Sequence, residues 1–242
     1  LMLNNGYTIS GSDLLMNESI ERLQQLGATI ALSHQQQHVK HVEQVIFSSA
    51  IATDNPEFIA ARQRGIPLWH RSELLATLVA AYYGIAVMGS HGKTTTACLI
   101  AAILEYAGLS PAFAIGAQLQ QPLAVADLTA NISPERKRYF IAEADESDGS
   151  FMALQPKIVV ATNIDADHLS HYHGRLTTLR NSFATFLQRL PADSIAILCH
   201  DDPLLVEMIP QLNCRVITYG LTSAADIYAN DFYQQGMSSH FT

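Results

Sequence analysis

The stretch Ile85-Ala-Val-Met-Gly-Ser-His-Gly-Lys-Thr-Thr-Thr96 decides the fold. Its apolar beginning predicts a buried strand, its two glycines predict a tight turn, and the residues that follow are typical of a helix. Glycines allow a backbone to approach an anion without a Cβ clash, and the N–H groups at a helix N-terminus point toward that anion. The stretch therefore predicts a phosphate-binding loop between a strand and a helix.

The candidate nucleotide-binding residues are Gly89, Ser90, His91, Gly92, Lys93, Thr94 and Thr95. Lys93 would place a point charge on the terminal phosphates, and the Thr94 hydroxyl is a ligand type that Mg²⁺ accepts. The general pattern G-x-x-x-x-G-K-[ST] places its first glycine where this chain has Val87, so the loop is a variant of that pattern. The alternative is a strand-to-helix turn that merely favours glycine, and Gly-Lys-Thr at the start of a helix argues against it.

An acidic run follows a second predicted strand, at residues 139–143. Glu143 stands at the tip of that strand, where the carboxylate of a neighbouring strand completes the Mg²⁺ shell in phosphate-binding sheets. Glu146 and Asp148 lie further along the run, and an exposed, solvated acidic turn is a plausible explanation for both. The sequence therefore predicts Glu143 as the metal ligand of this motif.

Polar residues also crowd the end of a third predicted strand, at residues 158–162. Asn163 and His168 follow that strand. Ligands bind at the carboxyl ends of the strands in open α/β sheets. A lone histidine is more often structural. Here, however, the segment that carries His168 is the third polar segment predicted at one edge of the sheet. We therefore predict His168 as a metal ligand or a substrate contact.

Short apolar runs alternate with helical patterns, which predicts an α/β fold with a mostly parallel sheet and right-handed crossovers. The early strands are predicted at residues 7–10, 28–32, 44–48 and 66–69, and the early helices open at Asn17, Asn55 and Ser72. Near residue 83 the pattern restarts. We predict one α/β domain at residues 1–83, to which the resemblance described below gives a Rossmann-like fold, and a P-loop ATPase-type domain at residues 84–242.

Two helices and one loop are predicted in the second domain. Residues 94–107 are apolar nearly all round, which predicts a buried helix. Leu176, Leu179, Phe183, Phe186 and Leu190 recur at spacings of three and four and mark an amphipathic helix. Residues 120–138 are polar and predict a surface loop. Further strands are predicted at residues 195–199 and 215–219.

The composition excludes several classes of protein. Over 242 residues the formal net charge is −8, which disfavours a nucleic-acid binder because such a protein needs cations. No apolar run approaches the ~20 residues of a membrane span, and the first residues lack the basic region of a secretory signal. Three widely spaced cysteines fit reduced thiols. We therefore expect a cytoplasmic protein without nucleic-acid or membrane partners. The sequence does not determine the oligomeric state.

The motifs at residues 89–95, 143–148 and 162–168 together resemble those of the Mur ligases, the ATP-dependent amide ligases of bacterial cell-wall synthesis. Further residues that resemble markers of this family are found at 10–13, 48–51, 201–203 and 219–220. The resemblance spans essentially the whole chain and is strongest to the branch that adds L-alanine to UDP-N-acetylmuramate. It implies a Rossmann-like UDP-sugar domain and a central ATP-binding domain, followed by a C-terminal domain that this chain is expected to lack.

The resemblance also implies a mechanism and a set of site residues. ATP phosphorylates the muramoyl carboxylate to an acyl phosphate, which the amine of L-alanine then attacks. Lys93, Glu143 and His168 are the implied catalytic residues. Thr94, Glu143 and His168 are the implied ligands of Mg²⁺. The implied substrate contacts are Ser10, Ser12, Asp13, Ser48 and Asn163.

Two other functions stay open. A recycling ligase that joins UDP-N-acetylmuramate to a whole tripeptide shares the loop and the start of the acidic motif, but it resembles this chain less at Ser147 and around residues 163–167. A P-loop ATP-binding module without ligase activity would hydrolyse ATP independently of any UDP-sugar. The resemblance also implies that the family's opening glycine-rich turn is missing here. Because the C-terminal domain is expected to be missing as well, we expect this chain to fold without catalysing the reaction.

Overall fold

The computed structural model describes residues 2–115, 139–147, 149–167, 169–236 and 238–242. The loop predicted at residues 120–138 lies outside the described residues, as do Asp148 and His168. Over the described part, the chain forms two compact units, one ending at Leu74 and the other beginning at Leu75. The domain boundary near residue 83 stays a prediction.

Within residues 2–74, the first unit carries four short strands and two complete helices. In chain order they are β1 (Ser10–Ser12), α1 (Glu18–Gln25), β2 (Thr29–Ala31), β3 (Val45–Phe47), α2 (Pro56–Gln63) and β4 (Leu68–His70). β1 pairs with β2 and β3 pairs with β4, both in parallel. A third helix, α3 (Arg71–Ala81), begins in this unit. The alternation of strands and helices is therefore confirmed here.

Two predicted helix starts in this unit are confirmed by their caps. The side chain of Asn17 accepts a hydrogen bond from the Ile20 amide at the N-terminus of α1. The side chain of Asn55 accepts from the Glu57 amide, and Pro56 occupies the first position of α2. Such caps satisfy amides that have no partner inside the helix. The local sequence therefore sets where both helices begin.

The first predicted strand is misplaced. The apolar pattern predicts residues 7–10, whereas β1 covers Ser10–Ser12. The Thr29 amide donates to the Ile9 carbonyl at 3.0 Å, so the ladder with β2 starts there and runs toward Ser12. Tyr7, which suggested the earlier start, is 58% exposed. Backbone pairing with β2 sets the position of this strand.

A seven-stranded parallel sheet dominates the second unit, as described from residue 75 onward. Its strands are β5 (Tyr83–Met88), β6 (Ala112–Ala114), β7 (Tyr139–Glu143), β8 (Ile158–Ala161), β9 (Ile195–Cys199), β10 (Arg215–Gly220) and β11 (Ile227–Tyr228). Their order is β11-β10-β9-β8-β5-β7-β6, and every neighbouring pair is parallel. The predicted α/β class with a mostly parallel sheet is confirmed.

The same unit also contains a two-stranded sheet after β11 and helices between the strands of the large sheet. β12 (Tyr233–Gln235) and β13 (Ser238–His240) form an antiparallel pair. The helices are α4 (Lys93–Tyr106), α5 (Leu176–Gln188) and the short α6 (Pro203–Val206). α5 confirms the predicted amphipathic helix, because Leu179, Phe183 and Phe186 on one face are buried. No helix in the described ranges has the length and apolar character of a membrane span.

The core beneath the phosphate loop joins β5, β7 and α4. Ile85 and Val87 of β5 and Ile141 of β7 pack with Ala97 and Ala101 of α4. Alanines bring the helix axis close to the sheet because they add little volume at the contact. The N-terminus of α4 is thereby fixed at the carboxyl end of β5.

The prediction that residues 94–107 form a helix buried all round is wrong on one face. The two alanines of α4 that face the sheet are fully buried, whereas Leu99 is 59%, Ile103 65% and Tyr106 97% exposed. A helix that lies on a sheet buries only the stripe toward the sheet, and apolar composition does not identify that stripe. The helix is therefore one-sided despite its apolar sequence.

All three cysteines, Cys98, Cys199 and Cys214, are free and half-buried. Burial, followed by the negative charge of Glu143, raises the pKa of the Cys98 thiol. Burial also raises the pKa of the Cys214 thiol. Because the thiolate is the reactive form, these shifts make both side chains less reactive than an exposed cysteine.

A hydrogen-bonded network around Glu57 ties three segments of the first unit together. Ser12 Oγ donates to Glu57 Oε2 at 2.5 Å, and His38 Nδ1 lies 2.6 Å from Glu57 Oε1. The Gln35 amide donates to the same carboxylate at 3.3 Å, and His34 Nδ1 lies 2.9 Å from Ser12 Oγ. Glu57 therefore joins the end of β1, the segment after β2 and the first turn of α2.

These contacts lower the pKa of the Glu57 carboxyl. Burial alone would raise this pKa, but the hydrogen bonds from Ser12, from His38 and from the backbone outweigh burial. The folded-state pKa therefore lies below the ordinary value of 4.5. The network contributes its full stability above that ordinary value and loses the contribution as the pH falls through the lower folded-state pKa.

We expect Glu57→Gln to lower the free energy of unfolding of the first unit by about 1–2 kcal/mol at neutral pH, because a charged acceptor becomes neutral. The variant should also show a smaller loss of stability on acidification than the parent chain. Trp69 in β4, the single tryptophan, reports urea unfolding of this unit by fluorescence. Glu43→Gln, at an exposed carboxylate, is the matched control, and equal results for the two variants would contradict the role of Glu57.

Candidate phosphate-binding site

The loop between β5 and α4 lies at the point where the sheet topology changes direction. β5 pairs with β7 on one side and with β8 on the other. The loops after these three parallel strands therefore open at the same edge of the sheet. Ligands bind at such a switch point in open parallel sheets. The structure brings the three sequence motifs together at this edge, through residues 89–92, 143–147 and 162–167.

Gly89 is the position in the loop where a side chain does not fit. Its φ is +139°, and a Cβ would lie 1.9 Å from Thr162 Oγ1 and 3.1 Å from the Asn163 nitrogen. Gly92, at the N-terminus of α4, has a φ of +80°, but a Cβ there would project into open space. Both glycines adopt a backbone that other residues rarely adopt. Only at Gly89 does a close contact, with Thr162, also leave no room for a side chain.

The segment after β8 clamps the loop. Asn163 Oδ1 accepts from the His91 amide at 2.9 Å, and Asn163 Nδ2 donates to the His91 carbonyl at 3.1 Å. Thr162 Oγ1 donates to the same carbonyl at 2.6 Å. The Asp165 amide donates to Ser90 Oγ at 2.9 Å. The conformation of the loop is therefore fixed by the neighbouring segment.

Asp202 in turn holds the clamping segment. Its Oδ2 accepts from the Ile164 amide at 2.7 Å, and its Oδ1 accepts from the amides of Leu204 and Leu205 at the N-terminus of α6. One carboxylate thus fixes a helix end and the segment that contacts the loop. The sequence marks residues 201–203 only as a family resemblance. The positioning role was missed because it depends on a tertiary contact with Ile164.

Lys93 lies at the centre of the loop. Its Nζ donates to the carbonyl of Gly89 at 2.7 Å and to that of Ser90 at 3.4 Å. The same Nζ lies 2.9 Å from Oε1 and 2.8 Å from Oε2 of Glu146. The Lys93 side chain is only 14% exposed, so water screens its charge weakly. This position allows the ammonium to act on an anion held by the loop.

Glu146 is buried, so the interpretation of an exposed acidic turn is wrong for this residue. Its side chain is 1% exposed, and the Tyr172 hydroxyl donates to its backbone carbonyl at 2.6 Å. A buried carboxylate needs a cationic partner, which Lys93 supplies. Nothing in the acidic run itself shows which carboxylate turns inward. The partner 53 residues earlier in the chain determines it.

Glu143 is the carboxylate that fits a divalent cation. It ends β7 opposite Val87 of β5. Its Oε1 is buried, and no hydrogen-bond donor reaches it from the described residues. A buried carboxylate oxygen without a donor is the kind of atom that a cation satisfies. The effect of Glu143 on the Cys98 thiol places its charge near α4, the helix that carries Thr94.

Side chains of His, Cys, Asp and Glu do not by themselves build a metal centre in the described part of the chain. No group of three of them is arranged to hold a metal ion there. His168, the third predicted ligand, lies outside the described residues. A cation at this site would therefore depend on the Glu143 carboxylate, the Thr94 hydroxyl and ligands from a bound nucleotide.

Four of the predicted substrate contacts lie in the first unit, and the fifth lies in the second. Ser10 and Asp13 are exposed, whereas Ser48 is half-buried after β3. The hydroxyl of Ser12 belongs to the network around Glu57, the half-buried glutamate of α2. Asn163 lies in the second unit, where its amide clamps the phosphate loop. Contacts of these residues with a substrate stay predictions.

Two family models together match nearly the whole chain. The model described as "Mur ligase family, catalytic domain" matches residues 1–83, and the one described as "Mur ligase middle domain" matches residues 87–242. The chain is 42% identical over 242 residues to a protein of Trichlorobacter lovleyi named UDP-N-acetylmuramate–L-alanine ligase. The match covers 100% of this chain and 52% of that protein. The chain thus spans about half the length of the curated relatives it matches.

Solved structures of similar fold include two ligases. The UDP-N-acetylmuramate:L-alanyl-γ-D-glutamyl-meso-diaminopimelate ligase of Neisseria meningitidis matches with a TM-score of 0.78 at 21% identity, over 98% of this chain and 76% of that one. The UDP-N-acetylmuramate–alanine ligase of Thermotoga maritima matches with a TM-score of 0.73 at 24% identity, over 92% of this chain and 49% of that one. At these identities the likeness shows the fold.

We expect Gly89→Ala to destabilise the second unit more than Gly92→Ala does. Both place alanine at a positive φ, which costs about 1 kcal/mol. Only at Gly89 does the new Cβ meet Thr162 Oγ1, and we expect this clash to cost about 2–3 kcal/mol more. Urea unfolding followed by far-ultraviolet circular dichroism measures both variants. Equal losses would show that the contact with Thr162 does not constrain the loop.

Proposed function

This chain belongs to the Mur ligase family, and we propose that it is the UDP-sugar-binding and ATP-binding part of a peptidoglycan-synthesis ligase. The proposed reaction joins the carboxylate of UDP-N-acetylmuramate to the amine of L-alanine and consumes ATP. We assign residues 1–83 to the UDP-sugar and residues 84–242 to ATP. The proposed enzyme works in the cytoplasm with Mg²⁺.

Two observations agree and support this proposal: the sequence identity to a named ligase and the candidate phosphate site. Over its whole length the chain is 42% identical to a relative named UDP-N-acetylmuramate–L-alanine ligase. A ligase that consumes ATP needs a place for the nucleotide phosphates, and the loop around Lys93 offers one at the switch point of the sheet. Because the chain spans about half of that relative, the activity is proposed for the complete protein.

Each residue of the loop has a proposed task toward the nucleotide. When bound, Mg-ATP would supply the phosphoryl group that activates the muramoyl carboxylate as an acyl phosphate. Within the loop at residues 89–95, the backbone N–H groups at the N-terminus of α4 would face the phosphates, while the amides of Ser90 and His91 stay bonded to Asn163. Lys93 would neutralise charge on the β and γ phosphates. Thr94 and Glu143 would hold the cation, with His168 as a further ligand.

Positioning and charge are the chain's main contributions to the proposed reaction. A nucleotide and a carboxylate are both anions, so they repel each other as they approach. Lys93 would reduce this repulsion from its position beside the loop. Asn163 and Thr162 hold the loop backbone in advance, so its donors need no reorganisation during the reaction. Lys93, Glu143 and His168 are therefore the proposed catalytic residues.

Sequence identity supports the choice of L-alanine as the acceptor, whereas the fold does not select it. Structures of a ligase for a tripeptide and of a ligase for alanine match this chain with TM-scores of 0.78 and 0.73. The tripeptide-recycling ligase is therefore the first alternative. A P-loop ATP-binding module without ligase activity is the second, because the loop geometry alone would serve both.

Phosphate release from Mg-ATP separates these functions. The assay uses the protein at the full length of its curated relatives, with UDP-N-acetylmuramate present throughout. L-Alanine, glycine, L-serine or the tripeptide is added in turn, and we expect release that depends on L-alanine. Dependence on the tripeptide would assign the recycling reaction instead. Release that is indifferent to the UDP-sugar and to every amine would leave only the P-loop module.

We expect Lys93→Ala to lower kcat/KM for ATP by about 10²-fold or more, because charge on the phosphates is no longer neutralised. Lys157→Ala is the matched control. Lys157 pairs with Asp193 at 2.7 Å, where both side chains are exposed, so its loss should change the rate little. Full ligase activity in Lys93→Ala would refute the role of Lys93.

A further inference from the structure

Glu146 has no part in the proposed reaction, although it is 1% exposed beside the lysine of the phosphate loop. An ionised carboxylate loses its hydration when it is buried, and an ion pair with a neighbour only partly compensates for that loss. An apolar side chain of similar volume often stabilises such a position at least as well. Fold stability therefore gives a weak reason for a carboxylate at this place.

The contacts of Lys93 show what Glu146 does to the phosphate site. An ammonium group has three hydrogens to donate. Lys93 Nζ donates to the Gly89 carbonyl at 2.7 Å and to Glu146 Oε1 at 2.9 Å, and the Ser90 carbonyl lies at 3.4 Å. Glu146 Oε2 is also only 2.8 Å from the same nitrogen. A phosphate that enters the loop therefore meets a lysine that is already engaged by an anion.

The backbone of Glu146 is fixed, whereas the side chain of Lys93 is long. The Tyr172 hydroxyl, on a residue that is 3% exposed, donates to the Glu146 carbonyl at 2.6 Å, and the Gly149 amide donates to the same carbonyl at 3.1 Å. A lysine carries its charge on a flexible four-carbon stem. A change of Lys93 rotamer can therefore free the ammonium without any movement of the Glu146 backbone.

We propose that Glu146 is a positioning residue of the phosphate site, whose carboxylate holds the Lys93 ammonium against the loop until a nucleotide phosphate takes its place. The inference rests on the ATP binding proposed above. It makes nucleotide binding an exchange of one anion for another. Glu146 keeps the lysine charge at the loop and at the same time competes with the nucleotide for it.

An ion pair that only stabilises the fold predicts the opposite effect on affinity. If Glu146 merely supports the structure, neutralising it loosens Lys93 and weakens both the fold and nucleotide binding. If Glu146 competes with phosphate, neutralising it weakens the fold but strengthens nucleotide binding. The sign of the change in affinity therefore separates a competing anion from a structural one.

The test is the affinity of this chain for ATP without added metal, measured by isothermal titration calorimetry at low ionic strength. Glu146→Gln keeps the shape and one acceptor oxygen but removes the charge, and we expect it to bind ATP about tenfold more tightly than the wild-type chain. Asp145→Asn is the matched control. It removes one negative charge from the adjacent residue, whose carboxylate accepts from the Ser147 amide at 2.9 Å.

Tighter binding in Glu146→Gln than in Asp145→Asn supports the proposal, and unchanged or weaker binding overturns it. Lys93→Met tells this failure apart from a failure of the proposed function. If wild-type binding depends on Lys93 while Glu146→Gln brings no gain, only the present inference fails. If the wild-type chain shows no Lys93-dependent binding, the proposed ATP site fails with it.

A second variant covers the case in which Glu146→Gln does not fold. Glu146→Asp keeps the charge but shortens the side chain by one methylene, which withdraws the carboxylate from Lys93 Nζ. We expect a gain in ATP affinity of about threefold, smaller than for the neutral variant because the charge remains nearby. A loss of affinity in Glu146→Asp would overturn the proposal.

Discussion

The contact between the backbone of Gly89 and the side chain of Thr162 is the constraint on which the site depends. β5 and β8 are adjacent and parallel, with Met88 opposite Ala161, so the chain leaves both strands side by side. A side chain at position 89 would push the two exits apart. Because they stay in contact, Asn163 reaches both polar groups of the His91 backbone. The next residues then enter α4 in the orientation that directs Lys93 into the loop.

The balance of charge at this edge of the sheet follows from that geometry. The chain as a whole carries a formal net charge of −8, and two carboxylates stand beside a loop that is built to receive an anion. A cation beside each carboxylate would stabilise this arrangement. Glu146 has Lys93, while Glu143 has a buried oxygen with no donor among the described residues. The two acidic side chains therefore have different tasks although they are only three positions apart in the sequence.

Local patterns in the sequence predicted most of the architecture and the principal motifs. Asn17 caps α1 where the sequence places the cap, and the strands at residues 139–143 and 195–199 have the predicted bounds. These features depend on neighbouring residues. Misplaced or missed features depend on distant ones: β1 is set by pairing with β2, and the inward turn of Glu146 is set by Lys93. Likewise, contact with the strands beneath α4 determines which face of this helix is buried. The hydrophobicity of its residues alone does not indicate that face.

The segments that build the phosphate loop are far apart in the chain. Ser90 and Asp165 are 75 residues apart, Lys93 and Glu146 are 53 apart, and Ile164 and Asp202 are 38 apart. Contacts across such separations form late, since long stretches of chain must close before any of them is made. During synthesis the Gly-Lys-Thr segment leaves the ribosome well before the residues that hold it. A growing chain therefore carries the loop sequence without its geometry, and the site is completed only after Asp202 has emerged.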